Sequence, residues 1–368
     1  MDPTLVISAD SHVVEPVDLW TRCCAPSDAE RVPHLVREAG GRPGQFVVCE
    51  GALAMPLEAF CSAGLSADEL AAAFARGDAA VRAGARDAVA RRADMDADGV
   101  AAEVLYPSLA LQAYRIADGD LQARCFAVYN DWLAELCAGA PDRLFGIGLI
   151  SLFDPAAACR EMERVARLGL RGAMVWCAPP AGDSYASARY EPVWAAARAA
   201  GLPISLHLGT TRDLSAPGES LAVAYMMTIQ PIQRALAQLV LGGVLDRFPE
   251  LRVVSVENEI GWLPHFLARL DHAADRYHRV SDLRLTMRPS EIVRRQVAAT
   301  FQEDRVGVEA RGRIGVECLM WASDYPHGDS TWPRSREVIA RDLGDVPDDE
   351  RRAIVCGNVA RLYGISLP

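Results

Sequence analysis

Leu5-Val-Ile-Ser-Ala-Asp10-Ser-His12-Val-Val-Glu15 reads as a short apolar run that closes on metal-ligand residue types. A strand turns alternate side chains to one side, so Asp10 and His12 can face a single point, with Glu15 just past the strand end. Further along, three more apolar runs close in the same way, on His207, on Glu257 and on Asp324-Tyr-Pro-His327. The four carboxylates of Asp10, Glu15, Glu257 and Asp324 and the three imidazoles of His12, His207 and His327 are many for one divalent ion and natural for two.

Eight short apolar runs separated by helical patterns read as buried parallel strands: Leu5 to Ala9, Ala102 to Tyr106, Leu144 to Ile150, Gly172 to Cys177, Pro203 to Leu208, Arg252 to Glu257, Ala299 to Gln302 and Cys318 to Ser323. Between them, Asp154-Pro155 opens a helix that stops at Leu168-Gly169, and Glu191-Pro192 opens another that stops at Gly201. The repeat predicts an α/β fold, a (β/α)₈ barrel, and such barrels carry their sites at the carboxyl ends of the strands. An open doubly wound sheet would want a glycine-rich phosphate loop, and neither G-x-G-x-x-G nor G-x-x-x-x-G-K occurs. Residues 20–98 break the rhythm. They read as an insertion between strands one and two, first Pro- and Gly-containing loops and then an Ala- and Arg-rich helical region, placed to form a lid, a specificity wall or a subunit contact.

A chain of 368 residues, 51% hydrophobic and 24% charged, can bury the core of one large barrel domain. Its net charge of −11 argues against nucleic acid or an anionic membrane as partner, since both require basic patches. Arg91-Arg92 and Arg351-Arg352 read as solvated helix faces. No secretory leader and no membrane-length apolar run is visible, and the ten cysteines include no C-x-x-C pair, so reduced buried thiols and a cytoplasmic setting are expected. His265, His272 and His278 read as surface residues, and Glu103 as salt-bridged.

Ile7-Ser-Ala-Asp10-Ser-His12-Val-Val-Glu15-Pro16, Leu206-His207-Leu-Gly209, Trp321-Ala-Ser-Asp324-Tyr-Pro-His327 and Gly357-Asn358-Val-Ala-Arg361-Leu-Tyr-Gly364 together resemble the amidohydrolase-related family of metal-dependent barrels, which includes aminocarboxymuconate-semialdehyde and resorcylate-type decarboxylases. The resemblance implies metal positions at Asp10, His12, His207 and Asp324. Two departures stand out. Where the decarboxylases end the sixth strand in a histidine, this chain has Glu257, and Glu15 and His327 add ligand types that a mononuclear site does not need. That fuller pattern is similar to a branch of the family that works as non-haem di-iron monooxygenases, mostly on CoA-linked substrates.

Charge points the same way, because four ionised carboxylates around one divalent ion would leave a net −2 in a low-dielectric pocket. The leading expectation is therefore an enzyme with two Fe ions held by Asp10, His12, Glu15, His207, Glu257, Asp324 and His327, hydroxylating a bulky apolar substrate with O₂. An acyl-CoA would enter past loop arginines such as Arg22, Arg42, Arg115, Arg189 or Arg212. The alternative is a hydrolase or decarboxylase with one Zn or Mn, in which Asp324 orients a water and takes its proton and Glu257 serves as a base behind it. A barrel that only binds a ligand is the third reading, and a homodimer is expected from the family resemblance.

Overall fold

The computed structural model describes residues 5–52, 54–211, 220–280 and 284–366. Its strands, in chain order, are β1 Ile7–His12, β2 His34–Ala39, β3 Arg42–Val48, β4 Met55–Pro56, β5 Ala102–Tyr106, β6 Leu144–Leu149, β7 Gly172–Val175, β8 Ile204–His207, β9 Val253–Val256, β10 Val297–Phe301 and β11 Leu319–Trp321. Eight of them form one sheet in the order β1-β5-β6-β7-β8-β9-β10-β11, each parallel to its neighbours. These correspond one for one to the eight apolar runs. Helices cover the outside and side chains fill the inside, so β1 and β5 to β9 are buried at every position.

The sheet curls until its last strand meets its first. Ser323 N donates to Ser8 Oγ at 2.9 Å, Asp324 N to the Asp10 carbonyl at 3.0 Å, and His12 N to the Tyr325 carbonyl at 2.6 Å. The result is a nearly closed eight-stranded parallel barrel. Because every strand runs the same way, all the carboxyl ends, and hence Asp10, His12, His207, Glu257 and Asp324, gather at one mouth. One strand is longer than its composition suggests: β1 runs on through His12, carrying Asp10 and His12 within the ladder, with an irregularity in register between Ser8 and Ser11.

Helix ends follow local chemistry. Asp154 accepts from Ala156 N at 2.9 Å to start the helix Pro155–Arg167, and Gly201, at φ 66°, ends Glu191–Ala200 in a left-handed cap. Between β1 and β5 the chain forms more than loops and helices. β2 and β3 pair antiparallel across Gly40-Gly41, both at positive φ (57° and 73°), the backbone of a tight two-residue hairpin turn, and β4 adds to β3. The helix Ala88–Asp98 then leads to β5.

That last helix corrects one expectation. Arg92 is solvated, but Arg91 is buried; its Nε donates to Glu103 at 2.5 Å and its Nη1 to the His12 carbonyl at 2.7 Å, and it lies 4.5 Å from the centre of the Tyr325 ring. It braces the seam from behind. Breaking a buried ion pair from one side strands the other charge, a cost of about 3–5 kcal/mol. Arg91→Ala is therefore expected to lower unfolding free energy by that amount in urea titrations; a loss under about 1 kcal/mol would show that the guanidinium is not a structural brace.

Candidate metal centre

Four strand ends supply the site. His12 Nε2 lies 3.5 Å from Asp10 Oδ1 and 3.2 Å from Asp324 Oδ1, and His207 Nε2 lies 3.9 Å from Asp10 Oδ1 and 3.4 Å from Glu257 Oε2. One ligand atom each from Asp10, His12, His207 and Glu257 falls within 4.8 Å of all the others, and a second such group, sharing His12 and Glu257, adds Asp324 and His327. Ligands about 2.0–2.2 Å from one ion sit roughly 3–3.5 Å from each other, so these spacings need little adjustment to close on a divalent cation. The backbone is turned to aim them. Glu257, directly after β9, and Asp324, three residues past the end of β11, have φ of 58° and 56°, a left-handed conformation that costs about 1–3 kcal/mol in a side-chain-bearing residue and concentrates at functional sites.

The two histidines are held in the ligand tautomer. His12 Nδ1 lies 2.7 Å from the Pro107 carbonyl and His207 Nδ1 lies 2.7 Å from the Leu208 carbonyl. A carbonyl only accepts, so each Nδ1 carries the proton and each Nε2 presents a lone pair to the cluster. Those two Nε2 atoms, with Asp10 Oδ1 and Asp324 Oδ1, are buried without any hydrogen-bond partner. Four inward-pointing donor atoms left unsatisfied in one place is a costly arrangement in the protein alone, and one that a cation completes. The residues present fit a divalent metal ion.

Electrostatics agree. Burial drives the Asp10 carboxyl up to about 6 against the pull of His207, and burial, then Asp10, raises Asp324 well above its ordinary range. Burial followed by Asp324 and Asp10 does the same to Glu257. Burial holds His12 far below its ordinary value and His207 down to about 4. In the protein alone, every group is pushed toward its neutral form; a nearby dication reverses that for the carboxylates and keeps the imidazoles neutral.

Six of the seven expected ligands come together, and Glu15 does not. Its carboxylate turns away to accept from the backbone N–H groups of Leu109 at 2.8 Å, Ala110 at 3.1 Å and Ser108 at 3.4 Å, anchoring the loop after β5. Burial pushes its carboxyl up to about 7 despite those bonds. His327 stands beside the cluster, with Nδ1 3.0 Å from Asp324 Oδ1, Nε2 2.9 Å from Ser108 Oγ, and its ring centroid 3.9 Å from that of His12. Without Glu15 the charge argument for two ions fails. Asp10 and Asp324 already balance one dication, and Glu257, whose side chain is 23% exposed, is the carboxylate left facing the cavity.

Three contributors have no ligand-like signature in the sequence. Thr300 Oγ1 accepts from Glu257 N at 2.9 Å and lies 3.5 Å from Asp10 Oδ2; Ser108 holds His327; the Pro107 carbonyl fixes His12. His265, His272 and His278 are exposed, as expected. Among the described residues the arginines offered for CoA do not form a site. Arg22 pairs with Asp18, Arg189 with Asp183, Arg115 reaches the Gly209 carbonyl, Arg42 is exposed on the β2–β3 hairpin, and Arg212 lies outside the described residues.

Removing one desolvated carboxylate should relieve the metal-free protein. Asp324→Asn, which keeps the shape and tolerates left-handed backbone, is expected to raise the Tm of chelator-treated protein while abolishing any rise in Tm on adding Mn²⁺ or Zn²⁺. Thermal scans with and without metal check this; an unchanged metal response in the variant refutes the assignment.

The Amidohydro_2 amidohydrolase family profile matches residues 65–365. The gamma-resorcylate decarboxylase of Rhodococcus jostii (strain RHA1) is 33% identical over 226 residues, 54% of this chain and 64% of that protein. The enzyme of the same name from Polaromonas sp. (strain JS666 / ATCC BAA-500) is 27% identical over 299 residues, covering 74% and 86%. Among solved structures, an amidohydrolase from Mycobacterium avium subsp. paratuberculosis K-10 superposes with a TM-score of 0.78 at 23% identity over 98% of this chain and 99% of that one. The 5-carboxyvanillate decarboxylase of Novosphingobium aromaticivorans DSM 12444, complexed with manganese and 4-hydroxy-3-methoxy-5-nitrobenzoic acid, gives 0.70 at 20% over 98% and 96%. These findings correct the di-iron monooxygenase expectation. The matched relatives are named for decarboxylation of aromatic acids, a reaction that releases CO₂ and takes up a proton without O₂ or any oxidant, and the metal in that solved structure is manganese. Nothing in them supports an acyl-CoA substrate or a homodimer, and the sequence pattern that suggested two irons depended on Glu15, which is spent on backbone amides. With its profile match spanning most of the chain, its parallel barrel and its mouth of aspartate and histidine, the protein belongs to the amidohydrolase family.

Proposed function

We propose that this protein is a metal-dependent carboxy-lyase that removes CO₂ from a small hydroxylated aromatic acid, using one divalent ion, Mn²⁺ or Zn²⁺, held by Asp10, His12, His207 and Asp324. The observation that carries the metal assignment is the set of four buried, unpartnered donor atoms on those residues. The reaction class rests on the decarboxylase relatives. When bound, the ion acts as a Lewis acid that fixes and polarises the oxygens of the substrate. Two imidazoles and two carboxylates suit either metal, with the oxygen donors favouring manganese.

The chain's own residues supply the rest. Glu257 is the cluster carboxylate with an exposed edge, so it is the one placed to meet substrate. In the metal-free protein, burial, then Asp324 and Asp10, raises its carboxyl well above the ordinary range, and as the cluster carboxyl outside the four proposed metal ligands it is the one assigned as proton donor. It delivers a proton to the ring carbon bearing the carboxylate, the bond from that carbon to the carboxyl carbon breaks, CO₂ leaves with no electron exchange, and solvent returns the proton to Glu257. His327, seated on Ser108 and Asp324, forms a wall of the site beside His12. A Schiff-base route is closed, since the 368-residue sequence contains no lysine.

Purified without chelators, the protein is expected to hold one divalent ion per chain, and His207→Ala to lose it; two irons per chain by elemental analysis would overturn the assignment. Incubated under argon with a panel of hydroxybenzoic acids, Mn²⁺-loaded protein should release CO₂. Absence of CO₂ with every acid, together with hydrolysis of ester or amide probes, would transfer the site to the hydrolase reading. Glu257→Gln should lower kcat by about a hundredfold or more with metal content intact, the scale of a lost general acid; a change under about threefold would remove Glu257 from that role.

A further inference from the structure

The opposite end of the barrel, where the strands begin, holds a second concave site. A cavity of about 460 Å³ there is lined by Arg252, Arg294, Arg295 and Arg361, with Glu317 the one acidic residue on its wall. Arg252 directly precedes β9, Arg294 and Arg295 close the helix Pro289–Gln296 that leads into β10, and Arg361 comes from the C-terminal helix Asn358–Tyr363. Four arginines from three separate segments thus line one space.

Among the described residues none of the four pairs with a carboxylate. Arg252 Nη1 donates to the Pro249 carbonyl at 3.0 Å and more weakly to that of Leu251; Arg294 bonds the carbonyls of Ile314 and Arg313; Arg295 bonds the Leu245 carbonyl, Gln296 Oε1 and Met287 Sδ; Arg361 Nη2 bonds Asn358 Oδ1 at 2.9 Å and the Glu317 carbonyl. Some other arginines do pair with acids, as Arg31 does with Glu50 and Arg311 with Glu350, while others, such as Arg336 on the Gly99 carbonyl, also rest on backbone. In a chain of net charge −11, four unpaired guanidiniums in one cavity run against composition. Capping of loop and helix carbonyls explains their anchoring but not their remaining capacity. A guanidinium has five N–H donors, and Arg252 and Arg361 each engage a single nitrogen.

We propose that this cavity binds a multivalent oxyanion of the phosphate class. Planar guanidinium forks match phosphate oxygens in pairs, and several cations facing one carboxylate call for more charge than a monoanionic aromatic acid brings. The volume falls in the roughly 300–1,000 Å³ range of small-molecule sites. Ala298 and Leu362 on its wall, both half-buried, leave apolar surface for whatever carries the phosphate.

Inorganic pyrophosphate is the probe, titrated calorimetrically into the full chain at constant ionic strength. Because pyrophosphate also seeks metal ions, His207→Ala is titrated in parallel. Saturable one-to-one binding is expected, unchanged in His207→Ala, and weaker by about tenfold or more in Arg252→Gln/Arg361→Gln, the scale of one lost charged hydrogen bond. Arg361 is exposed, so Arg361→Glu tests the same site with little risk to folding, and it should weaken binding to a similar degree. Absence of saturable binding, or binding that disappears in His207→Ala and survives in the arginine variants, overturns the proposal.

Discussion

The desolvation of four ionisable side chains at one point is the constraint on which this molecule's architecture turns. Asp10, His12, His207 and Asp324 are each about 1% exposed or less, and the atoms they aim at one another have no hydrogen-bond partner. A fold that buries such groups must either neutralise them or receive a counter-charge. Here the supporting bonds favour the second course. Both imidazoles are pinned through Nδ1 to carbonyls, Glu257 N is held by Thr300, and left-handed backbone at Glu257 and Asp324 turns two carboxylates inward at an energetic cost. None of this is the arrangement that stability alone would select, and it is coherent as preorganisation for a cation.

The parallel barrel makes that convergence possible. In a parallel sheet every strand ends on the same side, so residues hundreds of positions apart need only occupy equivalent strand ends to become neighbours. The insertion between β1 and β5 then reinforces the mouth from outside. Arg91 reaches the carbonyls of His12 and Tyr325, and Ala63 N donates to the Pro326 carbonyl at 3.0 Å. Ligands and braces come from different parts of the chain, but both act on the same seam.

Much of this was legible in the sequence, since buried parallel strands read as apolar runs and ligands follow them directly. All eight barrel strands emerge that way, as does the gathering of six of the seven named residues at one mouth. Glu15 misled because residue type and spacing do not reveal that three backbone amides after β5 would claim its carboxylate. Arg91 misled because an arginine pair on a helix suggests solvent. Its spacing with Ala88, Met95 and Asp98, also buried, places it on the inward stripe, a signal that was present. The hairpin of β2 and β3 was signalled too, by Gly40-Gly41 between β-rich segments. Counting metals from carboxylates failed for a physical reason: charge balance depends on which carboxylates face the cluster, and only packing decides that.

The closing seam bears on how the proposed metal would be acquired. Ser8 and Ser323, which stitch the last strand to the first, are 315 positions apart, and Asp324 follows at once. Contacts of such long sequence separation form late in folding, because the loop they close carries a large entropy cost. A growing chain on the ribosome exposes Asp10 and His12 long before Asp324, and it cannot assemble the full set of proposed ligands until that last residue has emerged. Selection of the proposed metal would thereby be deferred to the finished barrel, where geometry rather than the first available ion would decide what binds.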